Sequence, residues 1–451
     1  MEVKMDLLEG LFENENEKNI IVMYIVSLIK SLKPYRREHW IILSILLYSL
    51  VGIFKYYIPG IPCNILICFS SALFIYTVLR HRHGEPFGGI FGFTYMLLIV
   101  WSILLTFHMF FIADVKATFE DYHGITTYLL TYFVSYNFFP NLLPFMLLIF
   151  PRNYRFDFSY FLRVMWLLCI LYLCYYPFAF WNMTHYSWSF DAMHGDADSY
   201  GAFFTHSTKG LASLAPAVIM IFWKKYLNDK KWKWFTTAYV GSVLVTAYMA
   251  RRGDLAVALL YIVLAWGLYT FCDKRVSKIK MIVLAIVCAS LCFALFTNLS
   301  DSFFSVLMER GADDSRTGVE ESFYADMKSN SDWIFGRGWF GQYFESLTNL
   351  YRTGIETGFL TMILRGGLLY LLPYLLLLSI SFVKGVFFSH NLLCKSLGLI
   401  CLMQIISLYP FGWPAFNFFH FTVWMGVWLC NTKRFRMYND KAILSELNFK
   451  L

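Results

Sequence analysis

The sequence predicts an all-α fold of the membrane kind: a polytopic protein of about 12 transmembrane helices, with one long extracytoplasmic loop between the ninth and tenth. Three observations point there. Apolar runs such as Trp40–Tyr57, Ile90–Ile112, Ile279–Thr297 and Phe359–Val383 match the roughly 20 helical residues needed to cross a hydrocarbon core of about 30 Å. Only 15% of residues are charged and 58% are hydrophobic, against roughly 25% charged in soluble domains. The third observation is where the charge sits. Lysine and arginine crowd into short connections, among them Lys30–Arg37, Lys224–Lys233, Lys274–Lys280 and Lys433–Arg436, whereas acids gather in Asp114–Asp121, Asp191–Asp198 and Asp301–Glu356. That is the asymmetry between cytoplasmic and exported loops. It accounts for the net charge of +8 without a nucleic-acid partner. Because the runs are continuously apolar and do not alternate, helices are implied and a barrel is not.

Residues 1–38 form a cytoplasmic N-terminus. Glu2, Asp6, Glu9, Glu13, Glu15 and Glu17 carry the wrong charge for a signal-peptide n-region. Ile20–Ile29 is apolar but too short to span, and Lys30–Pro34 closes it; it reads as an interfacial helix. Residues 39–298 hold nine spans, near 40–57, 61–79, 90–112, 125–150, 161–182, 207–223, 234–250, 254–271 and 279–298. Residues 299–356 are the long loop, with enough aromatic residues (Phe323, Tyr324, Trp333, Trp339, Tyr343 among them) to bury a small core. Residues 357–432 hold spans near 357–383, 394–410 and 415–431, and 433–451 is a cytoplasmic tail. An even number of spans returns both termini to one side, and the basic connections fall on that side too. Cysteines such as Cys169, Cys401 and Cys430 lie in or beside apolar runs, matching neither a disulfide framework nor a zinc spacing, and read as packing residues.

Chemistry is expected at the outer ends of the spans, where the topology rule should have excluded basic residues. Arg251 and Arg252 interrupt "AYMARRGDLAVALL". A guanidinium there is either an anion clamp or an interfacial anchor paired with Asp254, and both readings stand at this point. Arg310, Arg316, Arg337 and Arg352 lie among loop acids; taken alone, they favour a surface of ion pairs, each worth little. Glu356 stands just before the run "TGFLTMILRGGLLYLLPYLLLL". A carboxylate at such a mouth is a helix-end charge or a general base made more basic by partial desolvation. Arg365, two to three turns deeper and followed by Gly366 and Gly367, requires a partner or a water-filled cavity. The glycines read as sites of close helix approach, and "GRGW" at Gly336–Trp339 as a turn. Asp191, His194, Asp196 and Asp198 match no metal-site spacing, so no metal is expected. His206 and Lys209, opening a span, are placed to line the same outer cavity as Arg252.

Together these segments resemble the O-antigen ligase and O-antigen polymerase superfamily of bacterial envelope polysaccharide assembly. "ARRGD" at Ala250–Asp254 looks like the family's small-Arg-Gly signature at an outer helix end. "ERGADDSRTGVEESFYADMKSNSDWIFGRGWFGQYF" looks like its large external loop, and "ETGFLTMILRGGLLYLL" like the segment after it. The likeness covers roughly residues 200–380. Two departures favour a polymerase or a divergent member over a ligase: Glu356 stands where ligases carry a histidine, and Tyr370 replaces the second glycine of their pattern.

The resemblance implies a GT-C-type, metal-independent glycosyltransferase without a cofactor, working on the periplasmic face of the bacterial inner membrane. Its donor would be an undecaprenyl-pyrophosphate-linked oligosaccharide, and its acceptor a growing polysaccharide or lipid A–core. Membrane lipids and a chain-length regulator would be its other partners. Arg252, with Arg251 and Arg316, would hold the pyrophosphate, with Arg337 a lesser member of that set. Glu356 would be the base, and His206, Lys209 and Arg365 further candidates. The alternatives are a ligase, a lipid-glycan flippase or a non-catalytic scaffold. A flippase calls for charges deep in several spans and for duplicated halves; the sequence shows polar groups concentrated at one face and no internal repeat.

Overall fold

The computed structural model of the chain describes residues 32–54, 61–81, 87–111, 142–151, 154–185, 219–248, 252–272, 317–346, 349–355, 357–409 and 413–447. The described chain is mostly helical. In order, the helices are α1 (Arg37–Phe54), α2 (Ile61–Arg80), α3 (Gly89–Phe111), α4 (Phe158–His185), α5 (Asp229–Tyr248), α6 (Arg252–Cys272), α7 (Thr317–Asp326), α8 (Asn330–Phe335), α9 (Gly358–Phe387), α10 (Leu392–Ser407), α11 (Phe418–Asn431), α12 (Lys433–Met437) and α13 (Asp440–Glu446). A two-stranded antiparallel hairpin, β1 (Tyr343–Glu345) and β2 (Leu350–Arg352), pairs Tyr343 with Arg352 and Glu345 with Leu350.

Helices α1 to α6 and α9 to α11 lie close to expected apolar segments. The expected interfacial helix Ile20–Ile29, the segment 279–298 and most of 125–150 and 207–223 lie outside the described residues. The described ends of those last two are 3₁₀ turns, Leu143–Ile149 and Ile221–Tyr226, where α-helix was expected. Pro144 opens the first of them without an N–H, and Phe150 ends it extended; Trp223 interrupts the second at φ −111°. Each is a short tightened turn of the kind that leads a chain out of a helix.

By length and apolarity, Gly89–His108 of α3 and Gly358–Phe387 of α9 suffice to cross a membrane. Helix α3 is apolar on both faces. Phe91, Tyr95, Leu98, Ile99 and Leu105 are buried, while Ile90, Phe93, Met96, Val100, Ile103, Leu104 and Phe107 are exposed. Helix α2 (Ile65, Phe69, Leu79) and the second half of α9 (Leu372, Leu376, Val383, Phe387) also expose large apolar side chains.

The centre of the molecule is α9, packed against α10, α3, α11 and α8. Small residues bring these helices together: a Cβ on Gly385 would lie 2.7 Å from the carbonyl oxygen of Cys394 and from Cys430 Sγ. Trp424, Trp428 and Tyr374 fill the space around them.

The two ends of the bundle differ. At one, Arg36 donates to the carbonyl of Arg155 (3.0 Å), Arg155 and Arg434 pair with Glu446, and Lys225 pairs with Asp440 at 2.6 Å. Asp440 also accepts from Tyr226 Oη and from the backbone N–H of Leu392. The start of α1, the segment before α4, the 3₁₀ turn at 221–226, the α9–α10 connection and the C-terminal helices therefore meet there. This is the basic end.

At the other end, residues 317–346 and 349–355 fold into a small unit. Phe323, Trp339 and Tyr343 are fully buried, and the Phe323 ring lies 5.5 Å from Tyr343 and 6.0 Å from Trp333. Trp333 Nε1 donates to the carbonyl of Met327 (2.7 Å), and Ser329 caps α8 by accepting from the N–H of Ser331.

Candidate functional site

The site begins with a break in α9. Gly367 adopts φ +66° and ψ −170°, a left-handed conformation open to glycine and costly for other residues. A break there strips the carbonyls of the preceding turn of their helical donors, and buried carbonyls need replacements. The fold supplies them. Leu364 O accepts from Arg337 N (2.6 Å), Arg365 O from Gly338 N (2.9 Å) and Gly366 O from Trp101 Nε1 of α3 (2.7 Å).

The "GRGW" turn is thus plugged backbone to backbone into the broken helix. A Cβ on Gly336 (φ +73°) would lie 2.6 Å from the amide nitrogens of Gly366 and Gly367, and one on Gly367 would lie 2.1 Å from Ile334 O. Trp339 follows into the core and meets Tyr370 edge to face at 5.6 Å. Tyr370 thus packs against the side chain that follows the turn.

Arg337 is committed to its own loop. Its Nε and Nη2 donate to Asp332 Oδ2 (2.9 and 2.8 Å), Nη1 to Asp326 Oδ2 and to Gln342 O, and Nη2 also to Asp326 O. These use all five N–H groups of a guanidinium. Burial would lower its pKa, but the hydrogen bonds to Asp326 and Asp332 more than offset this and raise it above the ordinary arginine value. Arg352 likewise pairs with the buried Glu345 at 2.7 Å. For these two arginines the ion-pair reading describes the geometry, and Arg337 has no N–H left for a pyrophosphate.

Arg365 is the opposite case. It is 6% exposed, and its guanidinium lies 4.3 Å over the Trp413 ring. Among the described residues its one hydrogen bond, Nη2 to Thr353 O, is long at 3.5 Å. Nε and Nη1 have no acceptor among the described residues, and neither does the indole N–H of Trp413. Each buried donor left unmade costs about 1–3 kcal/mol, more when charged. Trp413 and Trp101 come from distant parts of the chain, and nothing in the sequence marked them as partners.

Glu356 lies outside the described residues, as do Arg251, Arg316, His206, Lys209 and the Asp191–Asp198 segment. The neighbours of position 356 are described. Thr357 Oγ1 donates to Glu320 of α7. Thr361 Oγ1 accepts from Ile355 N (3.1 Å) and donates to Ile355 O (2.8 Å). The folded loop unit is therefore tied to the mouth of α9 on both sides of that position. Arg252 opens α6. The far end of α6 is held at the basic end, where Tyr269 Oη donates to Phe222 O and accepts from Lys224 N. Its first residue thus lies toward the loop end.

Among the described residues, no group of three His, Cys, Asp or Glu side chains is placed to hold a metal ion. Two open cavities, about 420 and 310 Å³, are lined by Arg36, Arg37 and Arg155 and by Lys384, Lys433 and Arg434 respectively. Both lie at the basic end, away from the α9 break. No family model, curated protein or solved structure matches the chain.

Proposed function

We propose that the chain is a membrane glycosyltransferase of the O-antigen polymerase kind, working on the outer face of a bacterial inner membrane. One observation carries this reading: a folded unit is plugged into the mouth of α9 on either side of position 356, at the end opposite the basic end. A lipid-linked donor calls for a site at the boundary between a helix bundle and an aqueous cap, and this junction has that form. The apolar outer faces of α2, α3 and α9 support a lipid setting. The gathering of arginine and lysine at the other end supports the orientation.

In the reaction, the acceptor hydroxyl oxygen attacks the anomeric carbon of the donor glycan. The bond from that carbon to the pyrophosphate oxygen breaks, and the hydroxyl proton passes to Glu356. Undecaprenyl pyrophosphate departs with the bond's electron pair, its charge stabilised by Arg251, Arg252 and Arg316. Fixed cations aimed at developing charge contribute orders of magnitude in rate. Arg337 is left out of this set because its donors are spent within the loop. The polymerase reading is preferred to a ligase on the glutamate at 356 and on Tyr370.

The test is polysaccharide from a deletion strain complemented with variants at matched membrane abundance. A polymerase leaves a single-repeat product when deleted; accumulation of long lipid-linked polymer indicates a ligase instead. Glu356→Gln is expected to reduce polymer formation by roughly 10²–10⁴ with donor binding retained. Arg252→Lys, which keeps charge but loses the planar fork, is expected to lose roughly tenfold. Near-normal polymer from Glu356→Gln removes the base and with it this mechanism.

A further inference from the structure

We infer that Arg365 is the floor of a binding site for a singly charged oxyanion carried on the glycan, a carboxylate or a phosphodiester. Three observations lead there. The side chain is 6% exposed, with Nε and Nη1 lacking an acceptor among the described residues. The indole under the guanidinium, Trp413, also carries an N–H group unmatched among the described residues. Guanidinium and indole are donors only, with no capacity to accept, so the group that completes this cluster must be rich in acceptors. The third observation is position. Arg365 is the eighth residue of α9, about 10 Å below its mouth at 1.5 Å per residue, and it donates to Thr353 O just ahead of position 356.

Charge narrows the ligand. One buried guanidinium is neutralised by one negative charge, whereas a pyrophosphate would bring more charge than this pocket can match and leave it buried and unpaired. The site is therefore separate from the leaving-group cations at Arg251, Arg252 and Arg316. It fits an acidic sugar, through its carboxylate, or a phosphodiester within the repeat unit. That the anion belongs to a glycan rests on the transferase reading; that Arg365 binds an anion does not.

The experiment uses full-length protein in phosphatidylcholine nanodiscs and saturation-transfer NMR of four probes: methyl glucuronide, its methyl ester, dimethyl phosphate and methyl glucoside. At least one anionic probe is expected to bind tenfold or more tightly than the ester and the glucoside. Preference between methyl glucuronide and dimethyl phosphate then identifies the source of the charge. Arg365→Gln should weaken the favoured probe at least tenfold, Arg365→Lys by less, and Arg252→Gln little. Equal binding of the acid, the ester and dimethyl phosphate, or wild-type affinity in monodisperse Arg365→Gln, overturns the proposal. So does anion binding that appears only in Glu356→Gln, which would give the guanidinium to that carboxylate.

If Arg365→Gln does not stay monodisperse, phenylglyoxal modification of wild-type Arg365, read on its peptide by mass spectrometry, decides. Protection by the favoured anion supports the site, and modification unaffected by any probe overturns it. Anion binding through Arg365 in a protein whose deletion leaves surface polysaccharide unchanged would uphold this site and remove the transferase reading.

Discussion

Arg337 and Arg365 meet across one junction and show how little residue type alone decides. The sequence offers both as cations in a region where cations are unexpected. Among the described residues, one has all its acceptors and the other almost none. The difference comes from Asp326, Asp332 and Gln342, which reach Arg337 only after the chain has folded back between α7 and β1. Arg337→Lys keeps the charge, but an ammonium has three donors in place of five and no planar fork. Two bonds to charged groups at about 1.5–3 kcal/mol each are lost, and because Arg337 is a quarter exposed water replaces part of them, so the variant is expected to lose roughly 2–4 kcal/mol. The loss should appear as faster protease cleavage within 317–355 and a lower melting temperature in nanodiscs. A variant that melts normally but binds donor weakly would return Arg337 to the pyrophosphate set.

At the scale of elements, helix positions are legible because a bilayer-length apolar run has few other uses, and α3 and α9 fall where such runs predict. The break in α9 is not legible. A Gly-Gly pair inside an apolar run reads as close packing, and for Gly366 that holds: a Cβ there would meet Leu105 of α3 at 2.9 Å. Gly367 is different because its φ is positive, and dihedral angles leave no mark in composition. The 3₁₀ ends at Leu143–Ile149 and Ile221–Tyr226 escape notice for the same reason, since hydropathy does not distinguish helix types. Gly367→Ala tests the junction. An alanine held at φ +66°, ψ −170° costs about 1–3 kcal/mol, and its methyl would lie 2.1 Å from Ile334 O, a backbone atom that cannot swing aside. The two together should release the "GRGW" turn and expose Trp339 to solvent quenchers. Gly354→Ala is the control: nothing lies within 4 Å of its Cβ position, and the change should stay within about 0.5 kcal/mol. If both variants behave alike, the backbone plug is not what holds the loop.

Across the whole molecule, the proposed chemistry depends on which end faces which compartment. The connections that cluster around Asp440 and Glu446 carry Arg36, Arg155, Lys225 and Arg434, and the end built from α7, α8 and the hairpin carries Asp326, Asp332, Glu320 and Glu345. Moving a run of arginines and lysines across a bilayer is disfavoured, and their clustering sets orientation. The basic end should therefore stay in the cytoplasm and the loop unit should be exported. Single cysteines at exposed Lys328, Lys230 and Ser445, scored against the parent chain, read this directly with a membrane-impermeant maleimide. With the outer membrane permeabilised and the inner membrane intact, Lys328→Cys should label at once. Lys230→Cys and Ser445→Cys should label only after the inner membrane is opened. The reverse pattern would leave the α9 mouth facing the cytoplasm, where an externally displayed lipid-linked glycan does not reach it, and no assignment of Glu356, Arg252 or Arg365 to that substrate would survive. Labelling of all three from one side would mean that α3 and α9 do not carry the chain across, and the apolar outer faces of α2, α3 and α9 would then need a cover other than lipid.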